Sequence, residues 1–139
     1  MELTLDLGRR VLEQQPFSRL LGAQLTRLDA GVVELQLELR ADLLQQDGFA
    51  HGGVMCYLAD NALTYAGGLA LGTAVVTSEF KINYVRPAIG QRAIARAEIV
   101  HAGKRQAVCR CDVFVRDASS ERLVATALGT IALAATKSP

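Results

Sequence analysis

One acidic residue stands where an acid is costly. Asp60 lies within residues 54–71, whose other members are nearly all apolar. Mid-helix, Asp has poor propensity and cannot act as an N-cap. Burying an ionised carboxylate without partners costs several kcal/mol, comparable to the whole stability margin of a domain. A carboxylate kept there fits general-base or nucleophilic work. Solvent exposure, or a hold by Asn61 or a backbone group, is the plainer alternative. Thr64 lies one helical turn further on the same face and Tyr57 about one turn before. Thr64 could hydrogen-bond an acid or a water beside it.

The start of the same run supplies a complementary group. His51-Gly52-Gly53 precedes the apolar stretch. Free N–H groups at a helix N-terminus form a partial positive site for an oxyanion or a polarised carbonyl. Glycine lets a ligand approach that backbone closely. Gly52 and Asp60 are eight residues apart, or ~12 Å along one helix at ~1.5 Å per residue. One carbonyl cannot contact both within the ~3 Å that catalysis needs. If both act on one bond, they come from different copies of the chain, and a two-fold dimer with two composite sites is expected.

These groups need a frame. Leu5 to Gln15 reads as a polar-faced helix ended by Pro16, with a further helical turn over Phe17 to Leu21. Val33, Leu35, Leu37 and Leu39 alternate with polar residues, the pattern of a half-buried strand. Asp29-Ala30-Gly31 supplies a turn before it, and Gln24 to Leu28 the other hairpin arm. Residues 51–71 form a central buried helix ended by Gly67-Gly68 or Gly72. Asp60, Asn61 and Thr64 exclude a membrane span there. Strands follow over Val75 to Val85, Arg92 to His101, Gln106 to Arg116 and Leu123 to Leu133. The breaks at Ile89-Gly90, Ala102-Gly103-Lys104 and Asp117–Ser120 are hairpin-length, so consecutive strands are expected to pair antiparallel. The sum is an α+β domain, one long antiparallel sheet curled around a buried helix.

Composition narrows the function. The 139 residues are half apolar and 21% charged, which argues against disorder. With 5% aromatics and no Trp, stacking on single-stranded nucleic acid is disfavoured. Residues 1–70 carry a balance of −4 and residues 71–139 a balance of +5. No basic run points to DNA or a membrane surface. The asymmetry suits a ligand with an apolar part and a phosphorylated part. Cys56, Cys109 and Cys111 are read as reduced packing residues, and the N-terminus shows no signal peptide. A cytoplasmic protein is expected. The two histidines are fifty residues apart and form no metal cluster, and no Gly-x-Ser-x-Gly elbow occurs.

Residues 48–62, Gly-Phe-Ala-His-Gly-Gly-Val-Met-Cys-Tyr-Leu-Ala-Asp-Asn-Ala, resemble the hotdog-fold acyl-CoA thioesterases, in particular the phenylacetic-acid-degradation (PaaI) type. Residues 77–88, Thr-Ser-Glu-Phe-Lys-Ile-Asn-Tyr-Val-Arg-Pro-Ala, are similar to that family's strand after the helix. The resemblance covers roughly residues 20–135. It implies a hotdog fold: a curved antiparallel sheet of five to six strands wrapped around one long central helix. The whole chain, 1–139, is then one domain, with an N-terminal helix over 1–20 and a core over 21–135. It implies homodimers that often pair into tetramers.

The resemblance also assigns roles. Asp60 would be the nucleophile or the general base, and the Gly52 N–H would polarise the thioester carbonyl. Gln45, fifteen residues before the acid, would place water or substrate. His51 would orient the loop or contact the thioester. Thr64 matches a supporting hydroxyl in one branch, and Thr77 or Ser78 one in another. Gly53 and Asn61 would border the substrate. Arg86, Lys104 and Arg105 could bind the phosphates of coenzyme A, which is part of the substrate, so no cofactor or metal is expected.

Thioester hydrolysis fits the chemistry, since the carbonyl is already electrophilic. A hotdog-fold hydratase or dehydratase needs a His near the acid, and neither His51 nor His101 follows Asp60 at short spacing. A non-catalytic acyl-CoA binding or sensor protein is the other alternative.

Overall fold

The computed structural model describes residues 2–134. Its elements are α1 (Leu5–Glu13), α2 (Pro16–Leu21), β1 (Gln24–Asp29), β2 (Val32–Glu38), a 3-10 turn (Ala41–Leu43), α3 (Gly52–Leu71), β3 (Val75–Tyr84), β4 (Arg92–Ala102), β5 (Gln106–Arg116) and β6 (Glu121–Leu133). Thr4 caps α1 by accepting the Leu7 N–H at 3.2 Å. Pro16 opens α2, and Gly22, in a left-handed conformation at φ 79°, closes it. α3 runs straight through Gly67 and Gly68 and stops only at Gly72.

The six strands form one antiparallel sheet in the order β1-β2-β4-β5-β6-β3. α3 packs against β2, β3, β4, β5 and β6. Small side chains make the close approach possible. Ala93, Ala95 and Ala97 of β4, and Ala125 and Ala127 of β6, are buried beneath the helix. Cys109 and Cys111 lie on the same face of β5 and are fully buried in the core. Burial pushes the Cys109 thiol up to about 11 and the Cys111 thiol higher still. The outer face carries ions instead. Arg96 lies between Glu34 and Glu121 at 2.6 and 2.5 Å and stacks on the Phe114 ring.

One expectation about pairing is corrected. β3 and β4 are consecutive but do not pair. β3 pairs with β6 at the sheet edge, and β4 lies between β2 and β5. The break at Ile89-Gly90 is therefore not a hairpin. Residues 85–91 cross the ends of β6 and β5, tied down by Val85 N–H to Val124 O at 2.9 Å and Gln91 N–H to Arg116 O at 3.3 Å. The crossing spans three strand spacings, roughly 14 Å, within reach of seven extended residues.

Gly67 sits where α3 comes closest to β6. A Cβ there would land inside the Ile131 side chain. Gly67→Ala is expected to destabilise the fold by about 1–3 kcal/mol despite its better helix propensity, measured as a lower urea midpoint.

Candidate active site

Asp60 lies midway along α3, half-buried. Its Oδ1 accepts the Thr77 hydroxyl at 2.6 Å. No residue among those described bonds Oδ2, so one oxygen is held and the other is open. Thr64 Oγ1 lies 2.8 Å from the Asp60 carbonyl oxygen and 2.9 Å from Thr77 Oγ1. Thr77 gives its only proton to the carboxylate, so Thr64 must be the donor in both contacts and shares one proton between them. It acts on Asp60 through Thr77.

A β-bulge aims Thr77. The β3–β6 register shifts between Thr77 and Glu79. Phe80 and Ile82 face the helix while Lys81 faces out. Uninterrupted alternation would turn Thr77 outward with Lys81. The extra residue, Ser78, resets the phase and brings Thr77 to the inner face. Ser78 itself is exposed and makes no side-chain hydrogen bond to the described residues.

The helix N-terminus is sorted by its cap. His51 Nδ1 accepts the Gly53 N–H at 2.9 Å, so the ring is neutral with its proton on Nε2. The Val54 N–H bonds His51 O at 2.9 Å. The Gly52 N–H has no acceptor among the described residues and remains available. Tyr84, at the far end of β3, donates to Gly52 O at 2.9 Å. Burial, then the neighbouring Cys56 thiol, raise the Tyr84 phenol above its usual range, so it stays a donor at neutral pH. Gln45 precedes a tight turn: its backbone N–H bonds Phe49 O at 2.8 Å, and its side-chain oxygen accepts the Asp47 N–H. It lies near the Gly52 end of α3, not the Asp60 end.

Asn61 belongs to a network that sequence reasoning missed. Tyr57 OH donates to Ser18 at 2.6 Å, and Ser18 to Gln15 Oε1 at 2.6 Å. Asn61 Nδ2 donates to Gln15 Oε1 and to Tyr57 OH, both at 3.2 Å. This network pins α1 and α2 to α3. Ser18 is only 1% exposed. Nothing in the spacing of this short helix singles out its serine.

The three predicted cations do not converge. Arg86 borders a cleft of about 350 Å3 at the α3 N-terminus, with Gly52, Met55 and Tyr84. Lys104 and Arg105 lie in the β4–β5 turn at the other end of the sheet, roughly 30 Å away at ~3.3 Å per strand residue. A larger cleft, about 640 Å3, is lined by Arg40, Arg92 and Arg116. Each of these already faces a carboxylate, and neither Asp60 nor Gly52 borders it, so the chemistry points elsewhere.

A curved antiparallel sheet wrapped around one long helix is the hotdog arrangement. Residues 47–120 match the thioesterase superfamily. The acyl-coenzyme A thioesterase PaaI of Escherichia coli is 31% identical over 97 residues, covering 69% of each chain. The proofreading thioesterase EntH of Klebsiella pneumoniae is 30% identical over 115 residues, covering 81% of this chain and 82% of that one. The crystal structure of a thioesterase family protein from Silicibacter pomeroyi superposes with a TM-score of 0.84 at 35% identity, covering 90% and 93%. The chain belongs to the thioesterase superfamily and is a thioester hydrolase.

Thr77→Val keeps the shape and deletes the hydroxyl. It is expected to lower kcat by at least ~10-fold with little change in KM, because it frees the acid to rotate rather than removing it, and to lower the melting temperature by the loss of about 1 kcal/mol, because Oδ1 loses its partner. His51→Ala should cost ~1 kcal/mol through loss of the cap, read by thermal unfolding.

Proposed function

We propose that this chain hydrolyses the thioester of an aryl- or medium-chain acyl-CoA to the free acid and CoA, at a site shared between two copies. The observation that carries this reading is the split between a braced acid and an unclaimed amide on one rigid helix. The ~12 Å between them is too long for one carbonyl.

Antiparallel pairing of α3 with its copy supplies Asp60 from one protomer and Gly52 from the other. The free edge of β3 supports that pairing. β3 is a sheet edge, and Val76 and Tyr84 on it are about half exposed. An edge with unpaired backbone groups is a template for a second copy. Pairing of such dimers into tetramers is compatible with this reading.

In the composite site, the thioester oxygen accepts the Gly52 N–H at the positive end of the helix. Asp60 Oδ2 takes a proton from water as the oxygen bonds the carbonyl carbon. The tetrahedral intermediate then expels the CoA thiolate, which recovers that proton. Alternatively, Oδ2 attacks the carbonyl carbon and the tetrahedral intermediate expels the CoA thiolate to leave a mixed anhydride, which water opens to the free acid while the water's remaining proton goes to the thiolate. After a single turnover in heavy-oxygen water, label in Asp60 would mark direct attack with water opening the anhydride at the Asp60 carbon. Gln45 and His51 lie at the Gly52 end, where they would border a partner's acid. The same pairing brings Arg86 of one copy towards Lys104 and Arg105 of the other, around the CoA phosphates. The chemistry draws only on side chains and backbone of the two chains. No helix among the described residues is long and apolar enough to cross a membrane, and a cytoplasmic location fits a CoA substrate.

Asp60→Asn is expected to lower kcat/KM towards benzoyl- or phenylacetyl-CoA by at least ~100-fold, measured as thiol release. Binding without hydrolysis by both forms would instead mark a sensor. The dimer has a separate test. Position 56 falls midway between 52 and 60, so antiparallel pairing sets Cys56 against its own copy. Cys109 and Cys111 are fully buried, while Cys56 is not. A short bifunctional thiol reagent should therefore join two wild-type chains, and should not join two Cys56→Ser chains. A monomer that retains activity would end the shared-site reading.

A further inference from the structure

A notch of about 130 Å3 opens between α1, α3 and the start of β3. We infer that this notch holds the far end of the acyl group, and that Val11 and Gly68 set its size limit. The inference rests on the acyl-CoA reading above and narrows its acyl group to one ring or a chain no longer than hexanoyl.

Position is the first argument. Thr64 lines the notch, and its hydroxyl is 2.9 Å from the Thr77 hydroxyl that holds Asp60. One wall of the notch is thus one hydroxyl removed from the residue that holds Asp60. Lining is the second. Leu3, Val11 and Val75 are aliphatic, and the Tyr65 ring adds an aromatic wall. The Tyr65 hydroxyl is already committed to Gly8 O at 2.8 Å, so the ring presents its apolar part.

The third argument is a glycine with no packing excuse. Two glycines stand side by side in the helix interior, where each costs ~1 kcal/mol relative to Ala. Gly67 is demanded by Ile131. A Cβ on Gly68 would meet only the mobile end of Leu3, at 3.0 Å, and Val75 at 3.9 Å. What it would do is fill the notch floor.

The fourth is rigidity. Gln15 lines the opposite wall, and its oxygen takes bonds from Ser18 and Asn61. A wall fixed to α3 in this way can measure length. α1 and α2 also lie outside the residues 47–120 that match the superfamily. A cavity of about 150 Å3 holds one benzene ring. The notch therefore suits an acyl group of about one ring or a short chain, and excludes a long straight one.

The test is kcat/KM for butanoyl-, hexanoyl-, octanoyl-, decanoyl- and benzoyl-CoA, with wild type, Val11→Ala and Gly68→Ala. Ratios within each variant cancel differences in folded fraction. Wild type should fall off beyond hexanoyl. Val11→Ala should raise the octanoyl-to-butanoyl ratio about tenfold, the low end of a methylene's effect in an apolar pocket. Gly68→Ala should lower the benzoyl-to-butanoyl ratio by a similar factor. Both are better helix formers than the residues they replace, so both should fold. Hydrolysis with ratios unchanged within about twofold in both variants, against that expected tenfold, would overturn the notch and leave the thioesterase reading intact. Hydrolysis of no member by wild type would overturn both.

Discussion

The hydrogen bond from Thr77 to Asp60 is the contact on which the site depends, because it joins the only acid of α3 to the edge of the sheet. A carboxylate half out of water needs a partner. A single hydroxyl supplies it at 2.6 Å and leaves the second oxygen open. The unusual strand order serves the same end. β3 lies at the edge beside β6, so its two ends reach two points on α3: Thr77 at the acid and Tyr84 at the Gly52 carbonyl. A β3 paired with β4 would lie in the middle of the sheet and leave no free edge beside the acid. The seven-residue crossing over β5 and β6 is the cost of that placement, and its backbone bonds to Val124 and Arg116 keep it from becoming a loose loop.

Much of this was legible in the sequence because it rests on local periodicity. The alternation of Val33, Leu35 and Leu37 marks β2, and the apolar run marks α3 to within a residue. The acid and the amide were legible because each is an oddity in its surroundings. What escaped depends on non-local pairing. The choice between Thr77 and Ser78 turns on a bulge, which exists only relative to β6. The order of strands turns on which edge β3 reaches, and a short Pro-containing link looks the same whether it turns back or crosses. The Gln15–Ser18–Tyr57–Asn61 network joins residues as much as 46 positions apart, with no pattern at either end.

The helix start shows how a small side chain divides labour among equivalent groups. Gly52 and Gly53 offer adjacent amides with the same macrodipole behind them. His51 is placed to accept only the second. The cap stabilises the helix and consumes one donor, and so selects which amide remains for a ligand. Glycine at both positions looks redundant in sequence. In the fold, Gly53 carries the cap and Gly52 carries the open N–H, with Tyr84 fixing the far side of its peptide.

Charge is divided on the same principle. The basic half of the chain spends most of its strand arginines on the outer face: Arg96, Arg110, Arg116 and Arg122 each face a carboxylate. Such partly exposed pairs contribute modestly to stability but neutralise the sheet. Arg86, Lys104 and Arg105 stand apart, with no carboxylate partner among the described residues, at opposite ends of the sheet. In one chain that separation is useless for gripping a single phosphorylated ligand. Antiparallel pairing about β3 inverts one copy relative to the other, so opposite ends become neighbours. The same operation that would carry Gly52 to Asp60 would carry Arg86 towards Arg105. Under the proposed shared site, the separated acid and amide and the separated cations would both be brought together by one and the same two-fold axis.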